Sequence, residues 1–186
     1  MWNERLGEIR IMVLPRERFS EPLPLPAGFS FVDEIPRAAE RELLEAEFEQ
    51  WRIPYERRFP GARDDSLVAI ARGSQIVSVS YVADVNEIGL AGYGEGHYPV
   101  VRPELRGLGL FRPRFARICQ LAASWGLSGI VVAPSREGLP ELYERLGAIP
   151  VGTLRPARRA RRLLHPIVNP HRSLARRAEG LLREIR

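Results

Sequence analysis

The sequence predicts an α/β domain built on a mixed sheet flanked by helices. Three observations lead there. Apolar patterns along the chain read strand, helix, three strands, helix, strand, helix, strand. Two segments carry apolar residues at helical spacing: Leu44, Phe48 and Trp51 in one, and Phe115, Ile118, Cys119, Ala122 and Trp125 in the other. A glycine-bearing turn, Arg106 to Gly109, lies between a strand pattern and the second of these helices.

In chain order, residues 1–28 read as an irregular extension and linker. It has one strand candidate, Glu8 to Leu14, and a proline-rich stretch from Glu21 to Gly28. A strand follows at Phe29 to Glu34, where Phe29 and Phe31 alternate with Ser30. A helix runs from near Pro36 through Trp51. Leu67 to Ala71 and Gln75 to Ala83 flank Arg72-Gly73-Ser74 as a hairpin. Gly89, Gly92, Gly94 and Gly96 mark a mobile connection entering the next strand, or a close approach of ligand to backbone; that strand ends near Val101. A helix from Phe111 to Trp125 stops at Gly126. Gly129 to Ala133 is a short buried strand, Leu139 to Leu146 a short helix with Pro140 in its first turn, and Ile149 to Leu154 a final strand.

A chain of 186 residues with 45% hydrophobic and 27% charged residues suits one domain with a true core, here placed at residues 29–154. No apolar run approaches the roughly 20 residues that span a bilayer. Glu4, Arg5 and Glu8 stand where a signal peptide needs apolar residues, so the expected location is cytoplasmic. Cys119 is the only cysteine, which excludes an internal disulfide and a cysteine-based zinc site; no metal is expected. Cys119 lies on the apolar stripe of its helix and reads as core.

All 28 basic residues are arginine, and ten of them fall in residues 153–186 against two glutamates. The high pI therefore belongs to an arginine-rich tail, residues 155–186. Its last helix, Ser173 to Ile185, places Leu174, Ala178, Leu181, Leu182 and Ile185 on one face. Such a face packs on its own domain or on a second copy. The charge suits an acidic protein or anionic lipid, with nucleic acid a less favoured partner, or simply forms a solvated surface.

The chemistry concentrates at Val100-Val-Arg-Pro-Glu-Leu-Arg-Gly-Leu-Gly-Leu-Phe111. A strand ends, a glycine turn follows and a helix begins. Backbone N–H groups at such a turn converge on an anion, and the helix dipole adds to their pull. Gly107 and Gly109 let a phosphate approach the backbone, and a pyrophosphate is the natural guest. Arg102, Arg106, Arg112, Arg114 and Arg117 cluster around the turn, and arginine suits phosphate through paired hydrogen bonds.

Pro103-Glu-Leu-Arg-Gly-Leu-Gly109 resembles the acetyl-CoA-binding loop of the GNAT superfamily of N-acyltransferases, Gln/Arg-x-x-Gly-x-Gly/Ala, with Arg106 at the first position and Gly109 at the fourth. Leu142-Tyr-Glu-Arg-Leu-Gly147 resembles the family's short helix after the fifth strand, Leu-Tyr-x-x-x-Gly-Phe. The resemblance spans about residues 29–154. It implies the GNAT fold, acetyl-CoA or another acyl-CoA as donor, an amine as acceptor, and direct acyl transfer. The donor would lie along Val100 and Val101 and on Arg106, Gly107, Leu108, Gly109, Leu110 and Phe111. The Val101 N–H would face the oxyanion, and Pro99 suits the bulge that splays this strand from its neighbour. Three positions depart from the pattern: Phe111 replaces a Gly or Ala, Ala148 a Phe, and Arg136 a common Asn.

Candidate bases for the acceptor are Glu95 and His97, which share a face of a regular strand. Tyr143 matches the family tyrosine that protonates the departing thiolate. Two alternatives stand beside this reading. One is an acyl-CoA-binding domain without turnover, which Phe111 in the loop would favour. The other is an N-acyl synthase taking its acyl group from acyl carrier protein docked on the arginine cluster.

Overall fold

The computed structural model describes residues 9–36, 38–39, 42–43, 67–86, 88–134, 138–154 and 172–185. In chain order they form β1 (Ile9–Pro15), β2 (Ser30–Val32), β3 (Leu67–Arg72), β4 (Gln75–Ala83), β5 (Tyr93–Val101), α1 (Phe111–Ser124), β6 (Gly129–Val132), α2 (Leu139–Arg145), β7 (Ile149–Leu154) and α3 (Arg172–Ile185). The helix expected from Pro36 to Trp51 and the basic block after Leu154 fall largely or wholly outside the described residues, as does Arg136.

The strands join in one seven-stranded sheet, ordered β2-β3-β4-β5-β6-β1-β7. All neighbours run antiparallel except β5 and β6. The β3–β4 hairpin turns where expected, with Gly73 at φ 59°. Side chains alternate between the two sheet faces, and β1 shows it residue by residue. Met12 and Leu14 join Val68, Val82, Ile130 and Val132 under α1 and α2, which contribute Phe115, Ile118, Cys119, Ala122 and Tyr143. Ile11 and Val13 join Tyr93, Val131 and Val151 on the other face, under Ala178 and Leu182 of α3. Each large apolar side chain taken fully out of water contributes about 1.5–3 kcal/mol.

The structure corrects the reading of residues 1–28 as an extension. The strand candidate there is β1, and it lies inside the sheet, paired with β6 through Met12↔Val132 to Pro15↔Gly129 and with β7 through Ile9↔Leu154 to Val13↔Ile149. Ile11, Met12 and Val13 have no exposed surface. Periodicity could locate this strand but not its partners, because it pairs with segments more than a hundred residues away. α3 packs on β7, close enough that Leu174 occupies the space a side chain at Gly152 would need.

The glycines before Val101 also differ from expectation. β5 begins at Tyr93, so Gly94 and Gly96 lie within it and not in a mobile connection. A Cβ at Gly94 would collide with the Ala83 carbonyl and Leu127. The close approach is that of the neighbouring strand.

Both α1 and α2 end in the same hydrogen-bond pattern, which closes the last turn. In α1, Gly126 N–H donates to Ala123 and Leu127 N–H to Ala122. In α2, Gly147 N–H donates to Glu144 and Ala148 N–H to Tyr143. Gly126 and Gly147 take φ 76° and 92°, as these ends require. Arg18 adds a clamp from the turn after β1: its Nη1 donates to the Gly147 carbonyl at 3.0 Å.

Candidate functional site

β5 is paired unequally along its two edges. It follows β4 from Glu95↔Ala83 to Val101↔Ser78. Four residues of β5, His97 to Val100, pass opposite three of β4, Val79 to Tyr81, so β5 bulges around Tyr98 and Pro99. The bulge expected at Pro99 is there. On the other edge, the parallel pairing with β6 covers only Tyr93, Gly94 and Glu95. From Gly96 onward, β5 has no pairing with β6 among the described residues.

Arg102 N–H donates to Val77 O of β4 at 2.9 Å. Successive N–H groups of a strand alternate in direction, so the Val101 N–H and C=O face the open edge. There Arg106 Nε donates to Val101 O at 3.2 Å. The Val100 carbonyl accepts from Ser78 Oγ at 2.8 Å and from Arg114 Nη1 at 3.0 Å.

Beyond this edge the chain makes a single 3-10 turn, Pro103–Leu105, and then the loop Arg106 to Leu110. Gly107 and Gly109 take φ 83° and 79°, a region open to glycine. Among the described residues other than its chain neighbours, no atom lies within 4 Å of where a Cβ would stand at Gly107, and only Pro26 Cγ does so at Gly109, at 4.0 Å. Leu108 is exposed at the loop's tip, and Leu110 is buried beneath it. α1 starts after Leu110 with no side-chain cap and no acidic residue in its first turn. Its amino end is thus an uncompensated positive pole beside an open glycine loop, the arrangement that fits phosphate.

Phe111 does not enter this loop. Its ring stacks on Phe115 at 5.8 Å and meets the edge of Tyr143 at 5.4 Å. Phe115 meets Tyr143 at 5.1 Å in turn. The departure from Gly or Ala at residue 111 therefore leaves the loop clear. Tyr143 is 5% exposed, and burial pushes its hydroxyl up to about 12, with the Arg114 charge opposing that rise.

Glu95 is buried on the opposite face of the sheet. A Cβ at Gly94 would meet Leu127 and Val82, and one at Gly96 would meet Val132 and Ile130, all on the α1 side. Glu95, between them, points the other way, as does Tyr93. Glu95 and Tyr143 thus lie on opposite faces. His97 follows Glu95 along the strand, its backbone opposite Tyr81.

The arginine cluster divides. Arg102 is tied to the β3–β4 hairpin, with Nε on Ile76 O at 3.0 Å and Nη2 on Glu42 at 2.9 Å. Arg117 approaches Asp33 at 3.8 Å. Arg112 is exposed and unpaired among the described residues. Arg114 is no surface residue at all, being 2% exposed. Its helical spacing from Phe111, Phe115 and Ile118 places it on the buried stripe, a signal present in the sequence and obscured by its charge. No cluster of three His, Cys, Asp or Glu residues able to hold a metal occurs among the described residues.

Solved structures give this architecture its class: it is the fold of the GCN5-related N-acetyltransferases. One from Kribbella flavida is similar over 80% of this chain and 56% of its own, with TM-score 0.59 and 20% identity. One from Sphaerobacter thermophilus is similar over 77% of this chain and 48% of its own, with TM-score 0.56 and 21% identity. A tandem GNAT protein from the clavulanic acid biosynthesis pathway is similar over 77% of this chain and 50% of its own, with TM-score 0.56 and 18% identity. This chain spans about half the length of these proteins. No family model and no curated protein matches the sequence. No described helix is long and apolar enough to cross a membrane.

Proposed function

We propose that this chain is an N-acyltransferase that moves an acyl group from acyl-CoA, acetyl-CoA foremost, to an amine by direct attack. The observation that carries the reading is the open edge of β5 beyond Glu95, with Tyr143 on the α1 face of the sheet and Glu95 on the other. The donor's pyrophosphate sits on the N–H groups of Gly107 to Phe111, with Arg112 free to meet a further phosphate. Its pantetheine arm runs along the open edge of β5. Displacing Arg106 from the Val101 carbonyl frees that acceptor for an amide of the arm.

In the transfer, the amine nitrogen attacks the thioester carbon and the carbonyl oxygen gains negative charge facing the Val101 N–H. The C–S bond then breaks. The departing thiolate takes the Tyr143 proton, and the amine proton leaves to Glu95 or His97, directly or through water. Tyr143 carries its proton at neutral pH; burial raises its value to about 12, which weakens it as an acid, and the Arg114 charge opposes that rise. Two faces for two proton transfers keep acid and base apart.

Phe111 packing into the core removes the reason to favour binding without turnover. The test is thiol release from acetyl-CoA across a panel of small amines and peptides, in wild type and Tyr143→Phe. Release that depends on an amine and falls about a hundredfold in the variant, the range of a lost general acid, supports the reading. Binding of acetyl-CoA with no release on any amine contradicts it.

A further inference from the structure

Arg114 is a buried cation that acyl transfer as described above does not use. It sits in the first turns of α1 with 2% of its surface exposed. Its Nη1 donates to Ser78 Oγ and to the Val100 carbonyl, both uncharged. Among the described residues no carboxylate pairs with it. Burying a guanidinium without an anion is costly, and neutral acceptors offset only part of that cost. A charge kept there at such expense has a use where negative charge appears transiently.

The geometry points to Tyr143. The Arg114 guanidinium lies 5.6 Å from the Phe111 ring centroid, and that ring abuts Tyr143 at 5.4 Å. The other ionisable groups around Tyr143 do not supply positive charge. Cys119, from α1, is a buried neutral thiol. From β1, Arg10 lies at the solvent side and is taken up by Glu141 and Glu144 at 3.9 and 3.6 Å. Arg18 caps the end of α2 at Gly147. β1 otherwise presents Met12 and Leu14.

We propose that Arg114 is a positioning residue for leaving-group protonation: its buried guanidinium, pinned on Ser78 and Val100, holds positive charge next to the Phe111 ring that abuts Tyr143 and stabilises the phenolate left when Tyr143 gives its proton to the departing thiolate. The inference rests on the acyltransferase reading above. The proton passes from Tyr143 oxygen to the thiolate sulfur, and water restores it after the thiol leaves; Arg114 keeps its own proton throughout. Burial lowers the Arg114 pKa to about 10, which leaves it a cation at neutral pH, and Tyr143 opposes that lowering. The same contact fixes the Val100 carbonyl, so the charge is anchored on the strand that would hold the donor.

The test is a double-mutant cycle on thiol release from acetyl-CoA with hydroxylamine as acceptor, using Arg114→Gln, Tyr143→Phe and the pair. The Gln variant is expected to lose about tenfold or more in kcat, with KM for acetyl-CoA within about twofold of wild type. The pair should be no slower than Tyr143→Phe alone. Arg114→Lys, which keeps the charge, should recover most of the Gln loss. Losses that multiply in the pair, a loss carried by KM, or a Lys variant as slow as Gln would overturn the proposal. Should the Gln variant not fold, the same cycle run with Arg114→Lys decides, and multiplied losses there overturn it. A wild type that binds acetyl-CoA but releases no thiol with hydroxylamine or with any amine of the panel above overturns the acyltransferase reading, and this proposal with it.

Discussion

Phe111 meets Tyr143 edge to face, with ring centroids 5.4 Å apart. Phe111 opens α1 directly behind the glycine loop, and Tyr143 lies in the middle of α2. The contact ties the helix that would hold the donor's phosphates to the helix that carries the candidate acid. Phe111→Ala removes one wall of the Tyr143 site and part of the face that α1 buries. The ring is only half buried, so the expected cost is about 1–3 kcal/mol, below that of a fully buried phenylalanine. Denaturant unfolding reads this. Affinity for acetyl-CoA should hold within a fewfold while thiol release falls, because the side chain points away from the loop.

Tyr143 also predicts a pH dependence of stability. Its ionisation moves from 10 to about 12 on folding. Between these values the folded chain keeps a proton that the unfolded chain has released. The stabilisation is therefore complete below pH 10 and is lost as pH rises from 10 to 12. Arg114 contributes the opposite slope in the same window, since its value falls to about 10 on folding. Comparing wild type with Tyr143→Phe isolates the tyrosine. The unfolding free energy of wild type should fall more steeply across pH 10–12 than that of the variant, and equal slopes would contradict the burial of this hydroxyl.

Gly152 lets α3 approach β7. A Cβ there would overlap Leu174, and Leu174 packs with Ala178, Leu181 and Leu182 against that face of the sheet. Gly152→Val should destabilise by about 1–3 kcal/mol through overpacking. Gly180, on the outer side of the same helix, has open space at its Cβ position. Gly180→Ala should instead stabilise slightly, by roughly 0.5–1 kcal/mol, as glycine is a poor helix former. Thermal melts of the two variants should move in opposite directions.

Cys119 is 1% exposed, and burial pushes its thiol up to about 12. Iodoacetamide at pH 8 should label it only in chains that have opened globally. Rapid labelling of the native protein would show that α1 does not pack as described.

Much of the fold was legible because its elements are periodic and punctuated. β4 and β7 have the expected bounds, α1 stops at Gly126, and α2 stops at Gly147. The loop was legible because glycine at residues 107 and 109 meets a backbone requirement. Partners were not legible. β1 appeared as an isolated run, since nothing in Ile9 to Pro15 encodes that its neighbours are β6 and β7. Arg114 reads as one of the arginines clustered around the phosphate turn because charge usually signals exposure, and only its spacing from Phe111 and Ile118 speaks for burial. Phe111 in the loop signature was ambiguous, since sequence alone does not say which way the first side chain of a helix turns.

Calorimetric titration tests whether the loop from Arg106 to Phe111 binds the phosphates of an acyl-CoA. Wild type and Leu108→Asp would each be titrated with acetyl-CoA, longer acyl-CoAs and CoA. Leu108 is 48% exposed, so a carboxylate there changes the loop's charge at its surface. Saturable binding by wild type that weakens tenfold or more in the variant, about 1.4 kcal/mol, is the predicted result. Absence of binding to every CoA form, or binding that Leu108→Asp leaves unchanged, would contradict it.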